Sequence, residues 1–147
     1  MKSQLRQHIS PSVPFILNVS DETGGYKLSF RLSYDFNAFA AVEGVLGKSM
    51  LTDVGELLEN PSATNVSVLL WAAVQENHPE YVGEQGLRAI RSYLNTVTAK
   101  EAREACSAAY VKQLPAEKLE ELRKIQAERE AGVTASPLAQ SPAPAAE

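Results

Sequence analysis

The chain has one cysteine, two histidines and one tryptophan in 147 residues. Each scarcity excludes something. A lone Cys106 cannot close an intramolecular disulfide, so a reducing compartment is expected and the thiol reads as a small buried hydrophobe. With His8 and His78 as the only imidazoles, no Cys or His pair has zinc-ligand spacing, and no metal or other cofactor is expected. Long apolar runs are missing too. The longest, Val68 to Val74, is far shorter than the ~20 residues that span a bilayer, so no membrane association is expected. Met1 to Ser12 carries Lys2 and Arg6 without the apolar stretch of a secretory signal, so the expected location is cytoplasmic.

Excess charge of one sign is also absent overall, the net charge being −4. Its distribution is uneven. Residues 1–34 carry four basic and two acidic groups, residues 35–86 one and eight, and residues 87–131 nine and seven. The acidic middle would repel a phosphate backbone, which argues against nucleic acid as a partner. At this length, with 44% apolar residues, one modest core is possible and a large enzyme is not.

What is present reads as an α+β chain, predominantly α. Residues 13–34 form an expected β-hairpin. Tyr26, Leu28, Phe30, Leu32 and Tyr34 alternate with Lys27, Ser29, Arg31 and Ser33, which predicts one buried and one wet face. Val13, Phe15, Leu17 and Val19 repeat the alternation one strand earlier, with Ile16 on the polar side. Gly24 and Gly25 serve the turn; Gly24-Gly25 is not a phosphate loop, because it joins two strands and no helix follows it.

Helical periods follow. Asp35 or Asn37 is expected to cap a helix with Phe36, Phe39, Ala40 and Leu46 on its apolar side, ended by Gly47. Met50 to Glu59 predicts a short helix, and Asn65 to Glu76 a more apolar one at the centre of the core. Gly83 to Leu94 predicts another, and Thr98 starts a helix whose Ala102, Ala105 and Ala109 permit close approach. The compact domain is expected over 13–114, after a flexible N-terminus at 1–12. Residues 115–131 read as a charged helix, opened by Pro115, with Leu119, Leu122 and Ile125 as a narrow apolar stripe. The Pro/Ala-rich residues 132–147 read as a disordered tail.

No polar constellation converges on a reaction, so a non-enzymatic role is expected. Three features carry candidate contacts. Glu43 projects near the apolar side of its helix, as a solvated or snorkelling side chain or as a specific ion pair or partner contact. Trp71 is either core or an interface anchor. The stripe Leu119, Leu122, Ile125 suits packing on a partner or back-docking. The open edges of the hairpin, or the helices, offer a route to a homo-oligomer.

Asp35-Phe36-Asn37-Ala38, Glu43, Leu46-Gly47, Leu69-Leu70-Trp71-Ala72-Ala73, His78-Pro79-Glu80 and Gly83 together resemble the tail assembly chaperones of long-tailed bacteriophages and gene transfer agents. The likeness covers roughly residues 26–95. It implies a non-enzymatic factor in the host bacterial cytoplasm that holds the aggregation-prone tape-measure protein until tube subunits polymerise around it, with the tail-tube protein as a further partner. Many such proteins also exist as a longer, frameshifted form. Two other classes compete: a structural tail or head–tail connector subunit, and a helical nucleic-acid-binding module using Arg88, Arg91, Lys100 and Arg103.

Overall fold

A computed structural model describes residues 11–60, 62–125 and 127–128. It is a two-stranded antiparallel hairpin followed by helices, the α+β, mainly α architecture that the sequence predicts. Strands β1 (Val13–Asp21) and β2 (Gly24–Leu32) pair from Val13↔Leu32 to Asp21↔Gly24. The turn is closed by Asp21, whose Oδ1 accepts from the Thr23 N–H at 2.9 Å and from Thr23 Oγ1 at 2.7 Å. Gly24 has φ +124°, a conformation side chains rarely tolerate.

Alternation sends Phe15, Leu17, Val19, Phe30 and Leu32 into the core and leaves Ile16 outside. Two positions depart from the predicted pattern. Tyr26, near the turn, is 45% exposed, and Ser33 is fully buried instead of wetting the outer face. Ser33 lies just past β2, where its N–H donates to Ala73 O at 2.9 Å and its Oγ accepts from Asn77 Nδ2 at 3.0 Å. The chain there turns onto a helix, so strand alternation no longer decides which side is wet.

Helix α1 (Phe36–Leu46) starts at Asp35, whose Oδ1 accepts from the Ala38 N–H at 2.9 Å, and ends at Gly47, with φ +69°. Its buried residues are Ala38, Phe39 and Val42. The inward direction is therefore centred near Val42, and the expected inner residues Phe36 and Ala40 are exposed, Phe36 by 72%. Helix α2 is shorter than expected, Val54–Glu59, with Leu57 inward; Met50 precedes it and is buried in the loop.

Helix α3 (Ala63–Gln75) is capped by Ser62 Oγ, which accepts from the Asn65 N–H at 3.0 Å. All nine residues from Val66 to Val74 are buried. A helix hidden on every side is a central one, and α3 packs against α1, α4 (Glu84–Tyr93), α5 (Thr96–Lys112) and β2. Between α3 and α4 runs a 3-10 turn, Pro79–Tyr81. Helix α5 begins at Thr96, capped by Asn95, and not at Thr98. Asn95 Oδ1 accepts from the Thr98 N–H and Thr98 Oγ1 accepts from the Asn95 N–H, each at 2.9 Å, so Thr98 completes a reciprocal cap inside the first turn. Ala102, Cys106 and Ala109 form its buried, small-residue face, while Val111 is 37% exposed.

The chain divides into two compact units between Gln113 and Leu114. In the second, residues 116–125 are helical, and the Leu119 N–H donates to Pro115 O at 3.0 Å, so Pro115 stands just before the first helical turn. The predicted disordered tail at 132–147 lies outside the described residues. Of the predicted flexible segment 1–12, Pro11 and Ser12 are described. Ser12 is held: its Oγ accepts from Arg31 Nε at 2.8 Å and its carbonyl from Lys112 Nζ at 2.9 Å.

Candidate functional site

The sequence-predicted contact residues fall into three different environments. Trp71 belongs to the core, 7% exposed, and its Nε1–H donates to Tyr81 O at 2.8 Å and Gly83 O at 3.2 Å. It therefore ties α3 to the turn that launches α4, with its polar edge satisfied as a buried indole requires. It is not available as an interface anchor.

Glu43 is exposed on α1. Phe36, Ala40 and Glu43 recur at i, i+4 and i+7, so they share one helix face, and all three are exposed. Phe36 is the outer end of an aromatic series. Its ring centroid is 5.4 Å from Phe39, which lies 6.3 Å from Tyr34 and 6.3 Å from Tyr110. The outward stripe thus carries an apolar ring and, two turns on, a carboxylate, and periodicity missed it by assigning Phe36 to the core.

In the second unit Leu119 is half-buried, while Leu122 is 40% and Ile125 49% exposed. Around this stripe Lys118 pairs with Glu121 at 3.4 Å and Arg123 with Glu120 at 3.2 Å. These solvated i, i+3 pairs support the helix modestly. The stripe is the narrow apolar seam expected from the sequence, and it remains accessible.

The hairpin edge is partly closed. The Arg31 N–H donates to His78 Nε2 at 3.0 Å and its carbonyl accepts from Asn77 Nδ2 at 3.2 Å, so both groups face away from β1. Opposite Arg31 stands Pro14, and at such a non-hydrogen-bonded pair its missing N–H removes no ladder bond. His78 also meets Phe30 edge-on, with centroids 5.3 Å apart. Side chains from the segment that follows α3 thus occupy the β2 edge where another strand would pair. The variant His78→Phe keeps the ring contact but removes the acceptor; it should cost about 1 kcal/mol in denaturant unfolding and speed hydrogen exchange at the Arg31 amide.

The remaining chemistry-bearing groups are tied into the fold. Cys106 is fully buried, and that burial pushes its thiol up to about 12, well away from nucleophilic readiness. Beside it, Tyr34 donates to Leu69 O at 2.7 Å; burial first, and then Cys106, holds the phenol well above its ordinary range. Glu76 is raised from the usual carboxylate value chiefly by its hydrogen bond with Asp35, but Asp35 is committed to capping α1. Among the described residues no group of three or more His, Cys, Asp or Glu side chains is placed to hold a metal ion, and no helix is long and apolar enough to cross a membrane. His8 lies outside the described residues.

The residues behind the family likeness divide by role. Asp35 and Gly47 bound α1, Leu69 to Ala73 fill the core, Trp71 binds the Gly83 carbonyl and His78 holds the strand edge. Phe36 and Glu43 are exposed on α1, and Asn37, Pro79 and Glu80 are exposed as well. Comparison of the chain with protein-family models, with curated proteins and with solved structures found no match.

Proposed function

We propose that the protein is a tail assembly chaperone, which binds the tape-measure protein and keeps it soluble while the tail is built. The observation that carries the reading is the apolar seam Leu119, Leu122, Ile125, with Leu122 and Ile125 exposed, on a helix whose remaining surface is charged and partly ion-paired. A long helical client that exposes apolar stripes needs a partner of this kind, and helix-on-helix contact would cover both. The outward Phe36 and Glu43 of α1 supply a second contact on the residues that carry the family likeness.

Co-expression with a tape-measure fragment tests this directly. The fragment should partition to the soluble fraction with the full chain present and precipitate without it. Leu122→Asp should abolish most of that rescue while moving the unfolding free energy of the first unit by less than about 0.5 kcal/mol, as a surface change does. Phe36→Asp should weaken the rescue in the same way. Equal precipitation with and without the chain would defeat the reading. Stoichiometric recovery of the chain from finished tails would replace it with that of a structural tail subunit.

A further inference from the structure

The first turn of α3, the end of α4 and the first half of α5 enclose a groove of about 940 Å3. Its walls include Val66, Leu94 and Ala99, and three cationic side chains, Arg91, Lys100 and Arg103, line it without any acidic residue. Lys100 and Arg103, three residues apart on α5, share a face, and Arg91 reaches the groove from α4. The two guanidinium groups are held by neutral acceptors: Arg91 Nε donates to Ser67 Oγ at 3.0 Å and Arg103 Nη1 to Leu58 O at 3.3 Å. They are positioned without being neutralised. Lys100 is exposed and has no ion-pair partner among the described residues.

This is a local concentration of positive charge in a chain whose net charge is −4 and whose residues 35–86 carry eight acidic groups against one basic. We propose that the groove binds an acidic, amphipathic segment of a partner protein, its apolar side chains against Val66, Leu94 and Ala99 and its carboxylates on Arg91, Lys100 and Arg103. Guanidinium groups held in place suit carboxylate oxygens, because the planar fork offers paired donors. Apolar lining from Val66, Leu94 and Ala99 distinguishes this groove from a phosphate track, which would be charged along its length. The chain's own helical residues 116–125 hold Glu117, Glu120 and Glu121 against Lys118, Arg123 and Lys124, and so offer no net charge to the groove. The proposal uses neither the Leu122 seam nor the Phe36 face, and stands or falls apart from the tape-measure reading.

The test uses the full chain and a fluorescein-labelled synthetic amphipathic helix of about 14 residues built from Leu, Ala and Glu, with a counterpart carrying Gln for every Glu. Fluorescence anisotropy at low salt should show saturable binding of the Glu peptide, about tenfold tighter than of the Gln peptide and weakening as salt is added. The double variant Arg91→Gln/Arg103→Gln should bind about tenfold less tightly. Because those side chains also make protein contacts, Lys100→Gln is the second variant, with an expected loss of about threefold and an unchanged melting curve. Equal affinity for the two peptides, undiminished binding by Lys100→Gln, or no saturable binding of the Glu peptide would overturn the proposal. Tighter binding of pyrophosphate or of duplex DNA than of the Glu peptide would also overturn it, in favour of a phosphate site.

Discussion

Replacing Gly86 by alanine is expected to destabilise the protein by about 3 kcal/mol, at the upper end of what overpacking costs. Gly86 is buried in α4, and a Cβ built on it would fall 1.7 Å from Tyr81 O and 2.2 Å from Tyr81 C. Both atoms are backbone, in the 3-10 turn whose carbonyl also receives the Trp71 N–H. Relief therefore requires moving α4 or the turn, and either movement breaks the anchor. The same substitution at Gly44, inside α1, has the opposite expected sign. A Cβ there meets nothing within 4 Å, so Gly44→Ala should gain about 0.5–1 kcal/mol from helix propensity and a less disordered unfolded chain. Urea unfolding of the two variants beside the parent measures both. A neutral Gly86→Ala would mean that α4 does not press on the turn as described.

The second large effect is at Trp71. Truncation to alanine should cost about 3–5 kcal/mol, because it opens a cavity in the central helix and strips two carbonyls of their donor. Trp71→Phe separates these contributions. It retains most of the packing but leaves Tyr81 O and Gly83 O without the indole N–H, and should cost about 1–2 kcal/mol. Denaturant unfolding reads both values. An interface anchor behaves differently, since its truncation weakens partner binding and leaves the melting curve nearly unchanged. A Trp71→Ala variant with parental stability would return this residue to the surface.

The candidate contact surfaces are unevenly legible in the chain. The seam of Leu119, Leu122 and Ile125 is legible because a narrow apolar stripe in a field of charges has one period and few competing readings. Phe36 is not legible in the same way. Apolar residues at 36, 39 and 46 satisfy a helical period, but which side of α1 turns inward depends on α3, and the helix settles with Val42 inward and Phe36 outside. The groove between α3, α4 and α5 is less legible still. Arg91 and Arg103 are separated by a helix break, and only the packing of three helices brings them to one cavity with Lys100.

By itself, the sequence determined the features that short-range physics controls. Strict alternation fixed the faces of most of the hairpin, Asp35 and Gly47 bounded α1, and the apolar run through Trp71 marked the central helix, because each follows from the geometry of a few neighbouring residues. Tertiary structure alone decided the rest. It buried Ser33 where the strand gives way to a helix contact, closed the β2 edge with Asn77 and His78, and turned Phe36 to the surface. It also gave two helical glycines opposite roles: Gly44 faces open space, and Gly86 lies against the backbone of a turn five residues earlier. The residue type is the same at both, and the difference is what another part of the chain has placed beside it.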